Sequence, residues 1–302
     1  MPFAAHTMRL FTVCFLSIVV HQSQALSQFV VDGNEEATQT AMETWYKVYE
    51  SIADAFQVQQ SPSSGTELNP NGTMLLHRQT ILTINNPQHR MRHGRVSVWT
   101  DDQGRPIVIS SVKSVLNPDS PTTRRVFYEF HSLSQSGVIG SRDDKMFWHC
   151  EKPGVTWLEG IEELRPSERR TTRLLQMKSF ARRFSVEGPV DEFRLMPTPI
   201  YRYPSEVPGV TDGAIFAFSL GTEPIVFLLI EARSNLWHLA FARSGTPNLK
   251  IKKGSEPFVT LPALIDIDLV NTEPFYLKWH AEHRSIKDPE KVLFRAVLPT
   301  PN

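Results

Sequence analysis

The residues of this chain best suited to chemistry are its histidines and the acids beside them. Trp279-His280-Ala281-Glu282-His283 sets two imidazoles three residues apart around a carboxylate. On a helix that spacing puts both rings on one face, the start of a zinc or iron site that still needs a third ligand. On a strand the same residues face opposite ways, and the preceding Phe275-Tyr276-Leu277 reads as strand. His280 and His283 therefore fit a polar strand end better than a metal site. His149 and Glu151 flank Cys150. A neighbouring imidazolium lowers a thiol pKa, but adjacent strand side chains point apart, so a nucleophilic Cys150 would need a remote base such as His131, His238 or His280. His149 and Glu151 share a face if the strand continues, as an acid/base couple or a structural hydrogen bond. His131 completes the catalytic candidates. His89 and His93 lie among arginines that repel a cation, and their segment, residues 88–94, reads as a turn. The chain has no Gly-x-Ser-x-Gly elbow, phosphate-cradling glycine loop or His-Glu-x-x-His motif.

The second class of candidate is cationic. Between Ser167 and Val186 the pattern predicts a helix capped by Ser167, with Leu174, Met177, Ala181 and Phe184 as a buried stripe and Phe180 beside it. Its other face carries Arg169, Arg170, Arg173, Lys178, Arg182 and Arg183 against Glu168. Six cations to one acid suit an anionic ligand or protein partner, unless they pair with Glu159, Glu162 and Glu163 or with carboxylates on the sheet. Asp212, Glu223, Glu231 and Arg233 are either site residues or caps of strand edges.

These groups must be positioned by strands. A first helix is expected from a cap at Asn34, with Ala41, Trp45, Val48, Tyr49, Ile52 and Phe56 on one face. Residues 59–72 read as a loop. From Met74 the period switches to two. Strands are expected around residues 74–84, 95–100, 106–116, 125–130, 138–140, 145–150 and 155–158, with Asp101-Asp102-Gln103-Gly104 turning a hairpin. After the second helix come an extended stretch at 194–203 and a meander at 214–220, 225–232 and 236–243. Its middle strand, apolar at every position from Ile225 to Ile230, should be covered on both faces. Further strands are expected at 250–253, 258–261, 265–270 and 275–280, and a closing helix at 288–294. Short connections make the pairing antiparallel. The fold class is α+β, a large curved antiparallel sheet with two amphipathic helices packed on it. Residues 26–302 are read as one unit, with 26–165 and 166–302 as possible halves.

Arg9 precedes an apolar run from Leu10 to Val20, then a polar segment and Ala25, the pattern of a cleaved export signal, with Met8 as an alternative start. The apolar run is too short to span a bilayer as a helix, which needs about 20 residues, so no membrane span is expected. Cleavage near Ala25 leaves Cys150 as the one cysteine and places the mature chain in the periplasm or outside the cell. The full chain balances 32 basic against 32 acidic residues, which argues against nucleic acid or an anionic membrane surface as partner. No cofactor is implied by any motif.

Tyr201-Arg202-Tyr203, Asp212-Gly213-Ala214-Ile215-Phe216-Ala217-Phe218, Gly221-Thr222-Glu223-Pro224 and Ile230-Glu231-Ala232-Arg233 together make a block, Leu195 to Arg243, that resembles an uncharacterised family of exported bacterial proteins. The resemblance implies export and a shared fold and carries no catalytic residue with it. At the level of pattern alone, a helix entering an antiparallel sheet also resembles the half-barrel of bacterial lipoprotein carriers. Three functions follow as expectations. The first is a non-catalytic envelope protein that binds a ligand or partner. The second is a hydrolase or metal enzyme built on His131, His149, Glu151 or the His280/His283 pair. The third is a carrier of apolar ligands with a cavity lined by Trp45, Phe130, Trp148 and Phe218.

Overall fold

A computed structural model of the chain describes residues 35–61, 73–86, 91–158, 164–189, 191–204, 207–264 and 271–297. The export segment, Asn34, His89, Glu159, Glu162, Glu163 and the strand expected at 265–270 lie outside the described residues. The chain divides into two units between Thr44 and Trp45, inside helix α1 (Glu35–Asp54). All the described strands belong to the second unit.

From Trp45 onward, α1 buries Trp45, Val48, Tyr49, Ile52 and Ala53. Their spacing of three, one, three and one places them along one stripe of the helix. Val48 and Ile52 each contribute roughly 1.5–3 kcal/mol by leaving water. The helix ends sooner than its apolar spacing suggests: Phe56 opens strand β1 (Phe56–Gln60), so part of the expected loop is strand. Here Phe56, Val58 and Gln60 alternate with Gln57 and Gln59, a period of two that short polar strands share with loops.

The other strands of the first half are β2 (Met74–Leu75), β3 (His77–Asn86), β4 (Arg92–Thr100), β5 (Pro106–Leu116), β6 (Thr123–Ser132), β7 (Val138–Arg142) and β8 (Lys145–Cys150). The second half begins with helix α2 (Arg170–Ala181). It continues with β9 (Phe184–Glu187), β10 (Glu192–Leu195), β11 (Tyr201–Arg202), β12 (Asp212–Leu220), β13 (Glu223–Arg233), β14 (Leu236–Arg243), β15 (Leu249–Lys253), β16 (Glu256–Leu261), β17 (Phe275–Ser285) and β18 (Val292–Arg295).

Every ladder between these strands is antiparallel, as the short connections require. The strands form three sheets in place of the one expected: β2-β1-β7-β8; β14-β13-β12-β10-β9-β15-β16 with β11 also on β12; and β18-β17-β6-β5-β4-β3. The closing helix expected at 288–294 is instead a turn, Lys291 N to Asp288 O at 3.0 Å, followed by β18. Apolar Val292-Leu293-Phe294 favours pairing with β17 over a short isolated helix. Residues 155–158 contribute only a single bridge, Leu158 to Leu239.

The turns show why these hairpins close where they do. Asp101 accepts the backbone N–H of Gln103 at 3.0 Å and of Arg105 at 2.8 Å, and Gly104 takes φ +78° in the β4–β5 hairpin. Asp143 and Asp144, and likewise Ser234 and Asn235, all adopt positive φ between their strands. That is the geometry of the tight turns whose twist matches a hairpin.

The interior falls into clusters. One joins α1 to Val58, Val112, Tyr128, Phe130, Phe147 and Trp148. Another joins Met177, Phe180 and Ala181 of α2 to Phe216, Leu228 and Trp237. A third takes Val96, Val98 and Ile109 from the first half together with Ile215, Phe227 and Leu229 from the second. Strand β13 is buried from Glu223 to Ala232, as its unbroken apolar run demands.

Candidate functional site

The histidine candidates do not converge. His280 and His283 lie on β17, at a bulge where the register with β6 shifts between Lys278 and Glu282 and His280 takes φ +59°. Their ring centroids are 6.1 Å apart. Glu282, the carboxylate between them in sequence, is fully buried and committed elsewhere. It meets Arg142 at 3.0 Å, Arg284 at 2.6 Å and Arg295 at 3.2 Å, and accepts a hydrogen bond from Tyr128. Among the described residues no group of three His, Cys, Asp or Glu could hold a metal.

His149 Nε2 stands 3.6 Å from Glu151, which is exposed. Cys150 is buried in the first cluster, where burial pushes its thiol pKa up, and Sγ donates to the Lys152 carbonyl at 3.4 Å. That is an environment for a packed thiol and not for a nucleophile. His131 is buried with Nδ1 3.0 Å from the Arg243 carbonyl and Nε2 3.1 Å from the Gly154 carbonyl. Desolvation lowers its pKa to about 4 against the pull of those two acceptors, so it is held neutral. The void beside it, about 10 Å³, has room for at most one water. His93 is not in a turn: it lies on β4, buried, with Nδ1 2.6 Å from Tyr49 Oη inside a cage of Trp45, Tyr46 and Tyr49. His238 pairs in register with Glu231 across β13–β14. Trp45, Phe130 and Trp148 pack within one cluster and Phe218 within another, so the four do not line a common cavity.

The basic helix departs from the expectation in a way that creates a site. Helix α2 starts at Arg170, with Arg169 in the N-cap position and no side-chain cap. Ser167 Oγ instead accepts the Arg169 N–H before the helix begins. The expected apolar stripe holds, with Leu174 half-buried and Met177, Phe180, Ala181 and Phe184 buried, but the face extends back to Arg173. The buried face is Arg173, Met177, Phe180 and Ala181, while Leu175 is exposed. Arg173 thus points inward. Its Nε donates to Asp212 at 3.0 Å and its Nη1 to the Ser167 and Glu168 carbonyls. Asp212 opens β12 with its side chain fully buried, and it also receives Arg202 at 2.7 Å and Arg170 at 3.9 Å. Arg183 lies over the Phe180 ring, and Arg169 and Arg182 are exposed.

Arg170 and Arg202 border an open cleft of about 550 Å³ whose other walls include Gln79, Thr80, Tyr201 and Tyr203. Arg170 is anchored by an Nη2 hydrogen bond to the Tyr203 carbonyl at 2.5 Å, and Arg202 by one to the Arg170 carbonyl at 2.7 Å. Around Asp212, then, three guanidiniums meet one carboxylate. The neighbouring pair Arg78 and Arg95 is matched by Glu50 and Asp54.

Two more buried ionic clusters hold the halves to one another. Lys113 Nζ, almost wholly buried on β5, reaches Glu129 at 2.6 Å and Glu223 at 3.2 Å, and Arg92 reaches Glu223 at 2.6 Å. Burial opposes ionisation of Glu223, but Lys113 and Arg92 outweigh it and hold the carboxyl pKa below its usual range. Glu231 accepts Tyr203 Oη at 2.8 Å and faces Arg233 at 2.7 Å and Arg105 at 3.4 Å. Lys113 and Arg92 escape sequence reading. The one signal is a lysine inside the otherwise apolar and serine-rich strand Pro106–Leu116.

With the geometry set out, similarity adds nothing to it. No protein-family model, no curated protein and no solved structure matches the chain. Among the described residues no helix is long and apolar enough to cross a membrane.

Proposed function

We propose that this chain is a non-catalytic binding protein of the space outside the cytoplasm, which takes an anionic, sulfate- or phosphate-like ligand in the cleft walled by Arg170 and Arg202. The observation that carries the reading is the charge count around Asp212, three guanidiniums to one buried carboxylate, with two of the three bordering the cleft. An anion entering there supplies the missing negative charge and meets planar forks suited to bidentate contact. Arg173, behind Asp212, keeps the carboxylate paired while the outer two arginines turn to the ligand. Arg202, which borders the cleft, and Asp212, which it meets, both lie in the block Leu195 to Arg243 that resembles the exported bacterial family. In this reading the sheets curve around the apolar faces of α1 and α2 and serve as a rigid scaffold, and the export signal at residues 1–25 delivers the chain to its ligand.

Sulfate and phosphate titrations, by calorimetry and by thermal unfolding, test the reading. A ligand that binds the folded state raises the melting temperature with concentration. Arg170→Gln and Arg202→Gln should each weaken binding roughly tenfold or more, the loss of one charge-assisted hydrogen bond. Arg173 keeps Asp212 paired in both variants, so both should fold. Absence of binding by the wild type, or wild-type affinity in either variant, removes the proposal.

A further inference from the structure

A second cleft, of about 260 Å³, is built from different chemistry. Its lining includes Gln60, Asp101, Arg105, Ser134, Ser136, Trp157 and Glu231. Its lining carries Arg105 against Asp101 and Glu231, and Arg233, which pairs with Glu231 at 2.7 Å from outside the lining, brings the local charges to balance. A charged ligand gains nothing net there, in contrast to the arginine cleft. The polar groups can be counted. Gln60 spends both amide protons, on Ser134 Oγ at 2.8 Å and Ser136 Oγ at 2.9 Å, which leaves its Oε1 as an acceptor with no partner among the described residues. The two serine hydroxyls share one hydrogen bond at 3.0 Å, so one of their two protons remains to be donated. Asp101 Oδ1 is taken by two backbone N–H groups, and Oδ2 has no partner among the described residues and stays as a further acceptor. Arg233, which does not border the cleft, lies 4.0 Å over the Trp157 ring and fixes the indole as part of the wall.

We infer that this cleft binds a neutral polyhydroxy ligand, one unit of a sugar, with Trp157 against its apolar C–H face and Gln60, the Ser134/Ser136 pair and Asp101 on its hydroxyls. One remaining donor proton and two remaining acceptors are met by groups that donate and accept from one atom, and alcohols do so. An aromatic wall beside a few fixed polar groups is the usual composition of a small-ligand site. The volume suits a ligand smaller than the ~300 Å³ at which drug-sized sites begin.

The inference is independent of the anion site and is tested separately from it. Saturation-transfer NMR on the full chain, with glucose, galactose and N-acetylglucosamine as probes and glycine and glutamate as controls, should show transfer to at least one sugar and to neither amino acid. Gln60→Ala and Trp157→Phe should each weaken that sugar about five- to tenfold, the loss of one or two hydrogen bonds or of the indole wall. Circular dichroism melts of both variants should match the wild type, which reports that they are folded, and sulfate affinity should stay unchanged. No transfer to any sugar, transfer that survives both substitutions, or binding of the amino acids in place of the sugars overturns the inference. Loss of sulfate binding alone, with sugar binding retained, would discredit the anion cleft and leave this one standing.

Discussion

His131 shows how a residue chosen for its chemistry is absorbed by structure. Each of its ring nitrogens faces a carbonyl, an arrangement that an imidazolium would satisfy in full, yet burial keeps the ring neutral with a pKa of about 4. In the unfolded chain the pKa is about 6.5. Between those values the unfolded state binds the proton and the folded state does not, so stability is whole above pH 6.5 and falls as the pH drops toward 4. His93, whose pKa burial and then Arg124 depress well below the usual value, acts in the same direction. Urea midpoints at pH 7 and pH 5 should therefore differ by more in the wild type than in His131→Gln, with His131 supplying about 2 kcal/mol of the difference; an equal loss in both would refute the assignment. Glu282 makes the matching case for charge. Substituting Gln leaves Arg142 and Arg284, both nearly buried, without their carboxylate. Chemical denaturation should show a loss of about 3–5 kcal/mol.

At the scale of elements, the phase of α2 decides the site. Arg173 lies one turn before Met177 and Ala181 on the same face, so the buried stripe carries it onto Asp212, while Leu175 on the opposite side stays in water. Met177→Ala should cost about 2–4 kcal/mol by opening a cavity in the second cluster. Leu175→Ala should change stability by less than about 0.5 kcal/mol. Equal costs in thermal or urea unfolding would mean the face has been assigned wrongly. The bulge in β17 plays a similar part. By inserting Trp279 to Ala281 against β6 it breaks the simple alternation, which separates Glu282, turned inward, from the imidazoles that flank it in sequence.

At the scale of the molecule, the third cluster and the ion pairs from Lys113 and Arg92 to Glu223 tie the two halves through a shared interior. Residues 45–297 should therefore unfold in one transition, with tryptophan fluorescence and far-ultraviolet circular dichroism giving coincident midpoints. Two separated midpoints would show that the halves fold independently. Much of this architecture is legible in the sequence. Period-two runs, turn residues such as Asp101-Asp102-Gln103-Gly104 and Ser234-Asn235, and the unbroken apolar run of β13 determine the strands, the hairpins and the antiparallel pairing, because these depend on neighbours only a few residues away. Even there β1 and β18 were hidden, since short strands carry too few residues to display a period. The sites were not legible for a stronger reason. The excess charge at Asp212 joins residues 170, 173, 202 and 212, and the neutral cleft joins residue 60 to residues 101, 134, 157 and 231. No local pattern records which distant groups meet. Composition sets how many arginines and carboxylates the chain owns, but only tertiary packing decides which carboxylate is shared by three and which cation is left facing water.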